Sequence, residues 1–135
     1  MTDRYALDSN VLIYLHEKDA GSQKRIIAQR LVVDNPVISP QVVSEYLNVC
    51  RKRLAMDKAE AMDALMQWFP YAFLTDFSQG VYQHAQKLIK RYQFQLFDGV
   101  IVAYALSAEC NTLYSEDMQH NLLVEKSLRI INPFV

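Results

Sequence analysis

Between residues 4 and 132 the hydrophobic period of the chain switches back and forth between two values. Short apolar runs of strand length ("RYALD", "PVIS", "YAFLT", "TLYS" and "LRIIN") alternate with longer segments whose apolar residues recur at helical spacing. The helical segments read "SNVLIYLHE", "GSQKRIIAQRLVVD", "SPQVVSEYLNVCRKRL", "DKAEAMDALMQWF", "SQGVYQHAQKLIKRYQF" and "FDGVIVAYALSAE". A turn, with room for a short helix, separates the last two strands. Strands that alternate with helices predict an α/β fold, with a mostly parallel sheet between two helical layers. The last helical segment is apolar nearly all round, so it belongs in the centre of the domain. Ser39 followed by Pro40 is a strong helix start.

The chain has 135 residues, 51% of them hydrophobic, enough for one compact domain over 1–135. A net charge of -1 excludes a nucleic-acid binder that works by bulk positive charge. It leaves room for local basic patches, for which Arg51, Lys52 and Arg53, and then Lys87, Lys90 and Arg91, are the candidates. "MTDRYALD" does not read as a signal peptide, and no apolar run approaches the roughly 18 residues of a membrane span. Cys50 and Cys110 read as buried thiols, so the expected setting is the reducing cytoplasm, with no membrane attachment. His16, His84 and His120 fall in no zinc-ligand spacing. Walker loops, G-x-S-x-G elbows and G-x-G-x-x-G turns do not occur, which argues against a nucleotide cofactor or a hydrolase triad.

Four acids occupy the positions where such a sheet builds its sites. Ligands bind outside the carboxyl ends of the strands, and Asp8 ends the first strand while Asp117 follows the fourth. Asp98 opens the apolar helix. Taken singly, Asp8 and Asp98 read as helix caps and Asp117 as a turn residue. Glu45 is harder to dismiss, because Val42 and Val49 share its helical face and a carboxylate leaning toward a core needs a partner. A salt bridge to a lysine or arginine would be the ordinary solution. Converging carboxylates repel one another by about 3 kcal/mol per pair at about 5 Å and an effective dielectric near 20. Hard cations with all-oxygen ligands make such a cluster useful, and the chemistry it suits is phosphodiester hydrolysis.

"YALDSNVLIYL", "SPQVVSEYL", "LFDGVIVAYAL", "LYSEDMQHN" and the closing "LRIINPF" follow one another in an order that resembles the PIN-domain ribonucleases, closest to the VapC toxins of bacterial toxin–antitoxin pairs. The resemblance implies a PIN-like three-layer α/β/α fold and an acidic set of Asp8, Glu45, Asp98 and Asp117. Asn10 and Ser115 would be polar supports, and Glu116 could help or replace Asp117 as an outer ligand. It also implies Mg²⁺ or Mn²⁺, an RNA substrate cut by metal-activated water, a homodimer, and a VapB-like antitoxin as partner. The alternative reading is a non-catalytic PIN-fold module that binds RNA or protein. Two positions depart from the family. Gly99 stands where alanine is usual, which predicts a looser helix start, and His120-Asn121 replaces the usual His-Gly, which puts the loop beside the fourth acid in question.

Overall fold

The computed structural model describes residues 3–135, so the first two residues of the expected domain lie outside it. In chain order the elements are β1 (Tyr5–Leu7), α1 (Ser9–Ile13), α2 (Gln23–Val32), β2 (Val37–Ile38), α3 (Pro40–Lys52), α4 (Lys58–Trp68), β3 (Phe73–Leu74), α5 (Gln79–Tyr92), α6 (Leu96–Ser107), β4 (Thr112–Tyr114), β5 (Leu123–Val124) and β6 (Leu128–Ile131). The sheet order is β3-β2-β1-β4-β6-β5, parallel throughout except for the antiparallel β5–β6 pair. The five expected strands and six helices are present, in a three-layer α/β/α arrangement. The short helix allowed for between the last two strands is instead β5, the outer strand of a hairpin with β6.

Local chemistry accounts for the helix boundaries. Ser39 accepts the Val42 N–H at 3.2 Å with Pro40 at the first helical position of α3. Asp57 and Glu60 form a reciprocal capping box on α4. The segment expected as one helix from Ser9 to Glu17 divides into the five-residue α1 and a 3₁₀ turn over Tyr14–His16. On α2 the buried residues are Ala28 and Val32, while Ile26 and Ile27 are half-buried and Val33 is exposed. Val11 and Leu12 are fully buried and belong to the core. Cys50 and Cys110 are buried free thiols. Among the described residues no helix is long and apolar enough to cross a membrane.

The strand order creates a crevice. The chain runs from β1 outward through β2 to β3, then crosses back to lay β4 on the other side of β1. The winding direction therefore reverses between β1 and β4, and a doubly wound sheet opens at such a reversal beyond the strands' carboxyl ends. Register is fixed there, with Leu7 beside Tyr114. The Asp8 N–H donates to the Tyr114 carbonyl at 2.9 Å, and the Ser115 N–H to the Ile131 carbonyl at 2.9 Å.

Central α6 is buried along residues 99–105 and packs on α5. Gly99 has a packing role at its start. A Cβ there would overlap Ile89 Cγ1 and stand 2.8 Å from Ile89 Cδ1, so the missing side chain lets Ile89 of α5 lie against the α6 backbone. Gly99→Ala should destabilise the protein by about 1–3 kcal/mol through overpacking, more than the roughly 1 kcal/mol that alanine adds in helix propensity. The Ile89→Ala background should abolish that penalty. Denaturant unfolding of the two single variants and the double variant measures it, and a stabilised Gly99→Ala single variant would contradict this packing.

Candidate active site

Asp8 caps α1 from the end of β1 and is 3% exposed. Three donors converge on its carboxylate. The Ser9 backbone N–H reaches Oδ1 at 2.7 Å, while the Ser115 hydroxyl at 2.8 Å and the Asn10 amide at 3.3 Å reach Oδ2. The cap reading of Asp8 therefore holds, and its second oxygen is turned toward Ser115 and Asn10. Ser115, fully buried, also accepts the Met118 N–H at 3.2 Å, which fixes the turn after β4. Asn10 spans the crevice: its amide nitrogen donates to Asp117 Oδ2 at 3.1 Å as well as to Asp8, and its Oδ1 accepts the Glu116 N–H at 3.2 Å.

Glu45 does not resolve its half-buried position with a salt bridge. Its Oε2 accepts from the Ser9 hydroxyl at 3.0 Å and its Oε1 from the Gln41 amide at 3.3 Å, one turn earlier on α3. Asp98 lies in the first turn of α6, but the cap position belongs to Gln95, so the cap reading of Asp98 fails. Electrostatics tie the four acids together. Burial pushes the Asp8 carboxyl up, the bonds from Ser115 and Ser9 pull it down, and the charges of Glu45 and Asp98 push it up again, leaving it at about 6. Burial, followed by the charges of Glu45 and Asp117, raises Asp98 above the usual carboxylate range.

Glu116 takes a different place from its neighbours. Its Oε1 accepts from the Tyr14 hydroxyl at 2.7 Å and its Oε2 from the Lys24 ammonium at 2.9 Å. Burial alone would raise this carboxyl, but the bonds from Lys24 and Tyr14 hold it below its ordinary value. Lys24 also lies over the Tyr14 ring at 4.7 Å, and Phe134 of the C-terminal segment meets Tyr14 edge-on at 4.8 Å. A clamp of α2, the turn after α1 and the chain terminus thereby holds the loop that carries Asp117. The loop itself keeps a glycine-like path, because Asn121 adopts φ 71, which asparagine tolerates better than most residues. His120 is engaged structurally, its Nδ1 accepting the Asn132 N–H at 2.9 Å.

Beside the acids lies a cleft of about 280 Å³ lined by Ser9, Asn10, Asp117 and the exposed Arg53, with Ile13 and Val49 as its apolar wall. Sequence reading named Arg53 as a candidate cation, but it missed Gln41, Lys24 and the buttressing roles of Ser9 and Tyr14. The contacts that reach Glu45 from Ser9 and Glu116 from Lys24 and Tyr14 join residues 36 to 102 positions apart, and no local pattern announces them. Among the described residues no three acidic, histidine or cysteine side chains stand close enough to share one ion. The carboxylates are drawn toward hydroxyl and amide donors and not toward one another. In chemistry the set still fits a hard divalent cation, since every donor is oxygen and Asp8 and Asp98 are raised above the usual carboxylate range by burial and then by neighbouring carboxylates.

This is a doubly wound α/β domain with an acidic crevice at the point where its winding reverses. The PIN-domain family model matches residues 5–123, and the chain belongs to that family. No curated protein sequence matches it. Solved structures do. A toxin–antitoxin complex from Klebsiella pneumoniae superposes with a TM-score of 0.72 at 18% identity, covering 97% of this chain and 98% of that one. VapBC-1 from nontypeable Haemophilus influenzae gives 0.66 at 18% identity over 97% and 98% of the two chains. VapC20 of Mycobacterium tuberculosis, a sarcin–ricin loop cleaving toxin, gives 0.66 at 16% over 84% and 89%. At these identities the likeness is one of fold.

A raised carboxyl means that the folded state holds its proton more tightly than the unfolded one, so ionising Asp8 costs stability. The penalty is absent below pH 4, grows as pH rises through about 6, and then levels off. The shift corresponds to about 3 kcal/mol at 1.36 kcal/mol per pH unit. In chelator, the stability of Asp8→Asn relative to wild type should therefore climb by up to that amount between pH 4 and pH 7. Denaturant midpoints across that range check it. A pH-independent difference would show that Asp8 carries no such strain.

Proposed function

We propose that the chain is a Mg²⁺- or Mn²⁺-dependent endoribonuclease, the toxin of a VapBC-type pair. The observation that carries this reading is that Asp8, Glu45, Asp98 and Asp117, from four separate segments, lie within electrostatic reach of one another near the reversal between β1 and β4, with burial first and then neighbouring carboxylates raising Asp8 and Asp98. A binding module would have no need to keep like charges together at this cost. Asp8, Asp98 and Asp117 would hold the ion, and Glu45 would complete its surroundings directly or through water. A bound divalent cation supplies activation of water and stabilisation of the leaving oxygen. Glu45, steadied by Ser9 and Gln41, orients the attacking water. Ser115 and Asn10 hold Asp8 and Asp117 in place. Arg53, on the cleft wall, is placed to meet an RNA phosphate. Glu116 is saturated by Lys24 and Tyr14, so its part is to hold the loop, with Asp117 as the ligand. The products should carry 5′-phosphate and 3′-hydroxyl ends.

The partner in this reading is a VapB-like antitoxin, and the active form is a homodimer. Support comes from the fold shared with structures solved as toxin–antitoxin assemblies. An antitoxin arginine or lysine set among the four carboxylates would relieve their repulsion and displace the ion in one step.

Cleavage of single-stranded RNA in Mg²⁺ tests the proposal. Asp98→Asn keeps the shape of the side chain and removes one charge, so its rate should fall by orders of magnitude. EDTA should stop the wild type, and saturating antitoxin should do the same. Undiminished cleavage by Asp98→Asn, or by wild type in EDTA, would defeat the mechanism. Cleavage unaffected by the antitoxin would defeat the assignment of the partner.

A further inference from the structure

A second cleft, of about 180 Å³, is also lined by Asp117. Asp117 lines both clefts, so the two meet at this acid. The two differ in chemistry. The first has Arg53 on its wall. The second is lined by no lysine or arginine, and both Asp98 and Asp117 stand at its edge, which makes it hostile to a phosphate. Its polar groups are instead the neutral amides of Gln93, Gln95 and Gln119, with Phe94 beside them.

These amides are conspicuously unspent. Gln95 occupies the cap position of α6, yet its side chain makes no capping bond. Gln119 is exposed, and neither it nor Gln95 has a side-chain hydrogen bond among the described residues. Gln93 donates to the Lys90 carbonyl at 2.9 Å, which leaves its Oε1 free. The Phe94 ring is backed by Tyr92 at a centroid distance of 5.6 Å, and the Tyr92 hydroxyl is itself fixed by the Glu125 N–H at 2.9 Å. The chain reaches this position through Gln93 at φ 63, a sharp left-handed exit from α5 that carries residues 94 and 95 to the cleft. An anchored aromatic ring beside free amides, in a site that repels anions, matches an unstacked base. Single-stranded RNA is recognised by stacking on aromatic rings and hydrogen bonding to base edges. A glutamine amide pairs in two-point fashion with adenine, which offers one donor and one acceptor side by side.

We propose that the second cleft is a base-binding subsite that takes one adenine of the RNA, stacked on Phe94 and read by the amides of Gln95 and Gln119. This deepens the ribonuclease reading and rests on it. The subsite would set which nucleotide flanks the cut, with Gln95 and Gln119 as its specificity-determining residues.

Two measurements test it. The first sequences the cleavage products of a randomised single-stranded RNA pool. Wild type should favour adenine at one position next to the cut, and Gln95→Ala and Gln119→Ala should each reduce the preference for adenine over other bases at that position by about tenfold. Phe94→Ala should weaken use of every base there, and Phe94→Tyr should restore it. The second uses Asp8→Asn, whose substituted residue lines neither cleft, and follows the binding of short fluorescent RNAs by anisotropy. An RNA with a central adenine should bind more tightly than one with an abasic site there, and Gln119→Ala should erase most of that difference. If wild type cuts no RNA, the ribonuclease reading fails, and the anisotropy series still decides the subsite. An unchanged adenine preference in both glutamine variants, a preference for another base, or equal binding of adenine and abasic RNAs would each overturn the proposal.

Discussion

The parallel pairing of β1 with β4 is the contact on which the rest of the molecule depends. These strands are three residues each, but Leu7 and Leu113 within them are almost wholly buried, and burying one such side chain is worth about 1.5–3 kcal/mol. Their register places the Asp8 N–H on the Tyr114 carbonyl. That single bond sets residue 8 beside residue 115, and the contacts among Asp8, Ser115, Asn10 and Asp117 follow from it. A slip of one residue would turn every side chain of these strands to the opposite face. The apolar residues of the two strands therefore hold the polar site in register.

Opposed forces meet within that site. Burial and neighbouring charge make the ionised form of Asp8 unfavourable, while three donors aimed at its oxygens favour it, and the first pair prevails. Polar partners elsewhere confine the strain. Ser9 and Gln41 take both oxygens of Glu45, and Lys24 with Tyr14 takes both oxygens of Glu116. Glu116, which shares the first cleft with Asp117, has a cation of its own in Lys24. Burial, and after it the neighbouring carboxylates, disfavour the charges of Asp8 and Asp98, and a divalent ion would offset that cost.

Much of this was legible in the chain itself. The alternation of periods gave the layers, and Ser39-Pro40 marked the start of α3 because capping is a local event. Asp8 and Asp117 could be picked out from where strands end, since a parallel sheet builds at those ends, while Asp98 and Glu45 stood out on their helices and the set of four came with the family resemblance. Contacts between distant residues were not legible. Nothing near Glu45 indicates that Ser9 will reach it, and nothing near Glu116 announces Lys24. Gly99 shows the limit most clearly. Comparison with alanine suggested a weaker helix, but the reason for glycine lies in Ile89 of another helix. Asn121 is the converse, a polar residue that takes the backbone conformation glycine would have supplied.

The central claim is that buried carboxylates in this crevice carry a cost, from burial and from one another's charge, that a divalent cation relieves. An acid titrating near pH 6 must lose its proton when it takes up a cation. Calorimetric titration of the wild-type protein with Mn²⁺, repeated in buffers of different ionisation enthalpy, counts the protons released. The account predicts roughly half a proton more per bound ion at pH 6 than at pH 8 from Asp8 alone. Equal proton release at the two pH values, or no Mn²⁺ uptake at either, would contradict it.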